Sequence, residues 1–339
     1  MNPLKTASYD YELPPELIAS HPASPRDSAK LLIYNRATKS ISHRYFYEIL
    51  DFIPSDTTVV LNDTKVIKAR IYGHKSSGGS IELLINRALN SYDINVYIRG
   101  KVKPDSLLIF DKNLSAKVIE LHSDGSRIVH FYLDNKPLRC EDLIIILDEI
   151  GHIPLPPYID RADDASDEIE YQSVFANHSG AVAAPTASLH FSDELFEALK
   201  NRFDYRFLTL HVGSGTFKPV DVDDILDHPM HREYYNIDNA TKNLLDSDTK
   251  ILAIGTTATR TIEHYKRTQN ASGEADIFLH PNNQPIRTDY LLTNFHLPKS
   301  TLLMLVSSFV GVDEMHRIYA TAIEHKYRFY SYGDAMMII

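Results

Sequence analysis

Hydrophobic and polar positions along the chain fall into two textures. Between about residues 58 and 138, short runs of β-branched and aromatic residues succeed one another: TTVVL, ARIYG, SIELLI, DINVYI, SLLIF, AKVIEL and RIVHFYL. Ser-Gly-Gly, Lys-Pro-Asp and Ser-Asp-Gly punctuate them, and these are turn signals. Several runs alternate with period two, which puts one face in a core and the other in water. Regular short strands of this kind predict a small antiparallel β-barrel.

Beyond residue 150 the rhythm changes to strand, loop, helix. SDELFEALKNRF (192 to 203) has an amphipathic helical spacing with Ser192 as its N-cap. The pattern then predicts a strand in RFLTL, a helix in DNATKNLLDSDTK, a strand in ILAIG and a helix in TTATRTIEHYKRTQ. Strands ADIFLH and DYLLTNF follow, then helices STLLMLVSSFV and EMHRIYATAIEHKYRF. Residues 11 to 36 read as helix-like text followed by the strand LLIY. Such alternation indicates α/β organisation around a largely parallel sheet. The α/β text surrounds the β-rich block. The expected architecture is therefore an α/β catalytic domain made of residues 1–60 and 150–339, interrupted by an inserted antiparallel β-barrel domain at 61–149.

Composition narrows the class. The 339 residues are 43% hydrophobic and 24% charged, ordinary for a globular protein large enough for two domains. The lone Cys140 excludes an internal disulfide and a cysteine-based zinc cluster. The start, MNPLKTASYDYELPPELIA, has acids and prolines where a secretory signal needs an apolar stretch, and TLLMLVSSFVG is too short to span a bilayer. A cytoplasmic location without membrane attachment is expected. A net charge of −10 argues against non-specific nucleic-acid binding. One local exception is KVIKARIYGHK (65 to 75), where Lys65, Lys68 and Arg70 stand without an acid; it reads as a solvated strand face or a phosphate-binding patch.

Six stretches could carry chemistry. LHVGSGTFKPV (210 to 220) looks like a nucleotide loop, but Pro219 follows the glycines where a dinucleotide fingerprint needs a helix, and a P-loop Gly-Lys-Ser/Thr is missing. That leaves a turn, or a loop in which Gly213, Ser214, Gly215 and Thr216 admit a ligand beside His211. SGAVAAPTASLHF (179 to 191) brings small residues, hydroxyls and His190 to a helix start; a Ser/His hydrolase pair there lacks the nucleophile elbow. LAIGTTATR (252 to 260) places Gly255, Thr256 and Thr257 between a strand and a helix, where free N–H groups suit a carboxylate or phosphate. HPMHREYY (228 to 235) gathers His228, His231 and Glu233, but without the spacing of a helical zinc motif, so acid/base or orienting roles fit better than a metal. TNFHLPKSTL contributes Asn294 and His296, and YRFYSYGDAM ends the chain in aromatics with Arg328 and Asp334.

Taken together these blocks resemble a known family. YELPPELIA, RDSAKLL, LNDTKVIKARIYG, GGSIELL, GHIPLPPYIDR, YQSVFA, GAVAAPTASLHF, TLHVGSGTFKPV, HPMHREYY, ILAIGTTATRTIE, TNFHLPKSTLLMLVSSF and YRFYSYGDAM are collinear with the S-adenosylmethionine:tRNA ribosyltransferase-isomerases of queuosine biosynthesis. The resemblance runs from about residue 8 to the C-terminus. It implies an α/β domain interrupted by a β-barrel. It also implies transfer and isomerisation of the ribosyl part of S-adenosylmethionine onto 7-aminomethyl-7-deazaguanine at the wobble position of a tRNA, releasing adenine and methionine. S-adenosylmethionine is then a consumed co-substrate, no metal is required, and a cytoplasmic monomer is expected. The segment 270 to 284 departs from the family pattern, which bears on substrate contacts there.

That reaction sets demands the motifs can be assigned to. A base must remove a proton beside the sulfonium, an acid must assist adenine as it leaves, and the attacking amine must be neutral. The resemblance thus makes His190, His211 and His231 the acid/base candidates, with Glu233 orienting or assisting. Gly213, Ser214, Gly215 and Thr216 would cradle the donor, and Gly255, Thr256 and Thr257 its carboxylate. Asp63, Asp160 and Arg161 become candidates for the modified base, and Lys65, Lys68 and Arg70 for anticodon-stem phosphates. A methyltransferase, a non-catalytic tRNA-binding module and a hydrolase remain as the competing readings.

Overall fold

A computed structural model describes residues 1–213, 215 and 220–339. In chain order the strands are β1 (Lys30–Asn35), β2 (Ser40–Tyr45), β3 (Thr57–Asn62), β4 (Thr64–Val66), β5 (Arg70–Lys75), β6 (Ser80–Ala88), β7 (Ile94–Arg99), β8 (Leu107–Ile109), β9 (Leu114–Leu121), β10 (Ser126–Leu133), β11 (Lys136–Pro137), β12 (His178–Ala181), β13 (Tyr205–Leu210), β14 (Glu233–Asn236), β15 (Lys250–Ile254), β16 (Ser272–Ala275), β17 (Tyr290–Asn294) and β18 (Ala335–Ile338). The helices are α1 (Cys140–Ile150), α2 (Asp167–Glu170), α3 (Asp193–Arg202), α4 (Asn239–Leu245), α5 (Gly255–Thr268), α6 (Thr301–Val310) and α7 (Val312–Glu324).

Nine strands form the main sheet in the order β16-β14-β13-β3-β15-β17-β18-β1-β2. The expectation of a largely parallel sheet needs correction. Neighbours β13-β3-β15-β17 run parallel, but β17–β18, β1–β2, β13–β14 and β14–β16 are antiparallel, so the sheet is mixed. Only the strands linked by crossover helices must be parallel; the flanking ones pair through short loops or close the chain end, and either direction satisfies their backbone groups.

Both faces of this sheet are covered, which explains its apolar runs. In β1, Leu31 and Ile33 pack with Leu195 and Leu199 of α3, while Leu32 and Tyr34 pack with Leu303 and Ile318 of α6 and α7. TTVVL belongs here and not to the β-rich block's barrel: it is β3, buried at every position in the middle of the main sheet.

The second sheet, β11-β10-β7-β6-β5-β8-β9, closes on itself through a β9–β10 pairing into a six-stranded antiparallel barrel with β11 as an appended hairpin strand. All its strands fall between Arg70 and Pro137, inside the chain span of the main sheet. Helix α1 lays Leu143 and Leu147 into the barrel core. Beside it, β4 and β12 form a short parallel ribbon connecting the tip of β3 with the segment that follows the barrel.

Helix starts follow the capping chemistry. Ser192, Asp238 and Ser300 each accept an N–H from the third residue onward at α3, α4 and α6. Two expected elements differ. ADIFLH is not a strand: β16 stops at Ala275, and Ile277 and Leu279 are buried from extended chain without ladder partners, so their alternation reports one-sided burial only. The helix-like text after residue 11 holds two three-residue 3-10 turns, Pro15–Leu17 and Arg26–Ser28, because Pro14, Pro15, Pro22 and Pro25 remove donors a helix needs. Among the described residues no helix is long and apolar enough to cross a membrane.

Candidate active site

The carboxyl ends of β15 and β17, with Val212 just after β13, open into a cleft. Strand ends of an α/β sheet are where small-molecule ligands sit. Gly255, Thr256 and Thr257 from the start of α5 form one wall. Gly255 has φ +89, a conformation that favours glycine and turns β15 directly into α5. Among the described residues no side chain caps this helix, so its first N–H groups are left for whatever enters the cleft. Asn62 braces the arrangement from the tip of β3. Its amide donates to Leu210 O (3.0 Å) and Thr257 Oγ1 (3.1 Å), and its oxygen accepts from Leu210 N (3.0 Å) and Thr64 N (3.2 Å). Every hydrogen-bonding position of that amide is used.

The opposite wall is built on Asn294 and the chain end. Asn294 Nδ2 donates to Tyr330 O (2.8 Å) and Ser331 O (3.2 Å), and its Oδ1 lies 3.2 Å from His190 Nε2. Since Oδ1 can only accept, His190 carries its proton on Nε2. Burial lowers the His190 pKa to about 4, against a small opposing pull from Asp334. His296 lines the cleft with Nε2 2.8 Å from Thr293 Oγ1, and burial lowers it to about 3. Both rings are therefore neutral near pH 7. His190 is 5% exposed and lies behind Asn294, so its position suits bracing the wall. Ser188 is fully buried with no partner for its hydroxyl among the described residues, and His190 faces Asn294, which argues against the Ser/His hydrolase pair.

Next to the cleft stands His211, one residue before the lining residue Val212. Its Nδ1 lies 2.8 Å from Thr64 Oγ1, leaving Nε2 for chemistry. Gly180 lies flat on the ring: a Cβ there would sit 2.9 Å from Nδ1, Cε1 and Nε2 alike. Burial, with His178 adding to it, lowers the His211 pKa and keeps the ring a neutral base. Asp63 is adjacent, accepting from Thr209 Oγ1 (2.7 Å) and 3.5 Å from His178 Nε2. Burial raises its pKa despite those partners.

A third group is buried on the β14 side. Glu233 accepts from Gly213 N (3.0 Å) and pairs with Arg260, whose Nη1 also lies 3.1 Å from His231 Nε2. Arg260 Nη2 donates to His231 O (3.2 Å) and Ala275 O (3.3 Å). Burial would raise the Glu233 pKa, but Arg260 foremost, then His231 and the Gly213 N–H, hold it at about 2. A carboxylate so anchored orients its neighbours; it has no proton to give at neutral pH. The guanidinium beside His231 takes the place where a cation would sit. Among the described residues no His, Cys, Asp and Glu group is placed to hold a metal ion. Gly215 packs on this histidine, a Cβ there falling 2.9 Å from His231 Cγ.

The remaining sequence candidates divide. Ser214 and Thr216 lie outside the described residues. Lys65 is exposed with no polar partner among the described residues, whereas Lys68 pairs with Glu168 (2.7 Å) and Arg70 with Glu82 (3.2 Å). The acids that neutralise the patch come from α2, 100 residues beyond Lys68, and from β6, the hairpin partner of β5. Asp160 is exposed, and Arg161 forms a two-pronged bond to the buried Asp167 (2.6 and 2.8 Å), to which Tyr332 also donates. Sequence reading missed Asn62, Thr64, Gly180 and Arg260. Asn62 and Thr64 flank Asp63 at a strand end, a signal that was present; nothing local marks Arg260 as a partner of Glu233.

Comparison with known proteins decides the family. Residues 6–338 match the family described as queuosine biosynthesis protein. The chain belongs to this family. It is 60% identical over 337 residues to the S-adenosylmethionine:tRNA ribosyltransferase-isomerase of Sulfurimonas denitrificans, covering 99% of this chain and 98% of that one. It is 53% identical to the Campylobacter jejuni protein of the same name, with 99% of each covered. Among solved structures it resembles S-adenosylmethionine tRNA ribosyltransferase from Thermotoga maritima, at 34% identity and a TM-score of 0.55, covering 98% of this chain and all of that one. The queuosine family match spans the cleft, the His211 group and the Glu233 group together.

Proposed function

We propose that this chain, as an S-adenosylmethionine:tRNA ribosyltransferase-isomerase, binds S-adenosylmethionine in the cleft with its methionine carboxylate on the N-terminus of α5. The observation that carries the placement is the uncapped helix start at Gly255–Thr257 facing the cleft. Asn62 holds that helix start in register with the ends of β3 and β13.

The acceptor is 7-aminomethyl-7-deazaguanine at the wobble position of a tRNA. His211 serves as the base through Nε2 in the tautomer whose Nδ1–H donates to Thr64 Oγ1. Removal of a proton from the carbon beside the sulfonium starts the reorganisation of the ribose. The neutral amine of the modified base then forms the new bond to the ribosyl part. Adenine leaves with a proton, for which Asp63 is the candidate donor through its place beside Thr64 and His178, burial shifting its pKa upward. Methionine is the other product, and epoxyqueuosine-tRNA remains. Glu233 and Arg260 position His231 and Gly213 at the loop beside the cleft. The reading carries with it a monomeric, cytoplasmic enzyme that needs no metal, and Lys65 as the patch residue available to tRNA phosphate.

Replacing Thr256 by glutamate tests the placement. An acidic residue in the first turn favours the helix, while its charge competes for the same N–H groups; because Thr256 is buried on the cleft wall, an unchanged melting temperature is checked alongside. Calorimetric titration should show S-adenosylmethionine affinity falling at least tenfold. Unaltered affinity would remove the carboxylate from α5.

A further inference from the structure

A second groove opens on the same edge of the main sheet as the cleft, three strands further along. The order β17-β18-β1-β2 and the pairings Asn294↔Ala335, Leu31↔Ala335 and Leu31↔Arg44 put Asn294, Lys30 and Arg44 on one rim. Three strand spacings amount to roughly 14 Å. Asp334 bridges the two sites, accepting from Lys30 N at 3.0 Å in the row next to Asn294.

The groove is cationic on a chain of net charge −10. Lys30 and Arg44 carry its positive charge, Lys30 Nζ donating to His325 O (2.9 Å) and Lys326 O (3.0 Å). His43, its pKa lowered by burial and these neighbours, and His325 also line it, and Glu48, the acid in its lining, accepts from Tyr45 N (2.8 Å). Its lip is aromatic. Tyr45 and Tyr47 stack at 5.5 Å and 7° between planes, while remaining 48% and 54% exposed. His43 and His325 stack at 4.0 Å inside. Exposed parallel rings beside Lys30 and Arg44 offer nothing to a core, and two cations against one carboxylate suit an anionic group. Flat π-faces with positive charge are the chemistry that holds unpaired nucleotides.

We infer that this groove docks an unpaired nucleotide of the tRNA substrate, a base stacking on the Tyr45–Tyr47 pair and its phosphate meeting Arg44 and Lys30. The inference rests on the tRNA reading above and adds a contact outside the reacting nucleotide. It gives an acidic protein a way to hold RNA without a broad basic face. Specificity of position follows, because a nucleotide in the cleft and another in the groove fix the loop between them.

Steady-state kinetics and filter binding with precursor tRNA test this on the full chain. Tyr45→Ala with Tyr47→Ala should raise the KM for tRNA at least fivefold, since each lost stack is worth about 1–3 kcal/mol. The KM for S-adenosylmethionine and kcat at saturating tRNA should not move. Tyr47→Phe keeps the ring and should behave as the parent. Arg44→Glu should flatten the salt dependence of tRNA affinity by about one phosphate contact. Unchanged tRNA KM and affinity in the double variant would overturn the inference. So would a parent dimer that the variant converts to monomer with tRNA affinity intact, because the β2 edge would then be a self-association surface. Filter binding reads the groove even if the parent shows no turnover, so failure of the reaction and failure of the groove are separate results.

Discussion

Replacing Glu233 by glutamine isolates the buried pair that fixes the rear of the site. Glutamine keeps the shape and can still accept the Gly213 N–H, but it leaves the Arg260 guanidinium, 3% exposed, without its counter-charge. Holding a carboxyl at about 2 against an ordinary 4.5 corresponds to about 3 kcal/mol of native-state stabilisation at pH 7. Breaking one side of a buried pair costs a similar 3–5 kcal/mol. For 339 residues the unfolding entropy is about 0.7 kcal/mol per kelvin, so the melting temperature should drop by about 5 °C. The sign of the pH dependence follows from a depressed carboxyl: the contribution is complete above pH 4.5 and is lost as pH falls toward 2. The gap between parent and variant should close over that window. Combining Glu233→Met with Arg260→Met removes both charges and should recover most of the loss. Differential scanning calorimetry reads all three. A single variant melting within about 1 °C of the parent, or a double variant as unstable as both singles combined, would refute the pairing as a source of stability.

Other expectations follow from the same geometry. His211→Ala should fold normally and lose at least about a hundredfold in ribosyl transfer, and Thr64→Val should keep part of the rate while moving the acid limb of its pH profile, as expected of a residue that hydrogen-bonds and orients the ring; an unchanged rate in His211→Ala removes the base from the scheme. Buried His190, neutral down to about pH 4, gains a proton on unfolding below its ordinary 6.5, so native stability falls as pH drops through that window. His190→Gln keeps a donor for Asn294 and should lose about 2 kcal/mol less, roughly 3 °C, between pH 7 and pH 5; an equal loss in both proteins would contradict the assignment.

How much of this was legible in the chain depends on whether the deciding interaction is local. Helices α3, α4 and α6 announce themselves because Ser192, Asp238 and Ser300 cap residues three positions on. The barrel is legible from its alternating strands and turn glycines. TTVVL was grouped with those runs because a strand buried on both faces carries no alternation to separate it from them. The mixed direction of the main sheet was not legible, since β18 finds its place beside β1 through the far end of the chain. In the site, Gly255–Thr257 could be read directly, as strand, glycine and helix are contiguous. The partners of Glu233, Lys68 and Arg70 could not, because Arg260, Glu168 and Glu82 arrive from other elements. A basic cluster in sequence is a patch only if folding brings no acids to it.

The most direct measurement incubates the protein with S-adenosylmethionine and tRNA bearing 7-aminomethyl-7-deazaguanine, then quantifies small-molecule products and tRNA nucleosides by mass spectrometry. Adenine and methionine should appear in equal amounts with epoxyqueuosine in the tRNA. Formation of S-adenosylhomocysteine and a methylated nucleoside instead, or full occupancy by both substrates with neither product, would contradict ribosyl transfer.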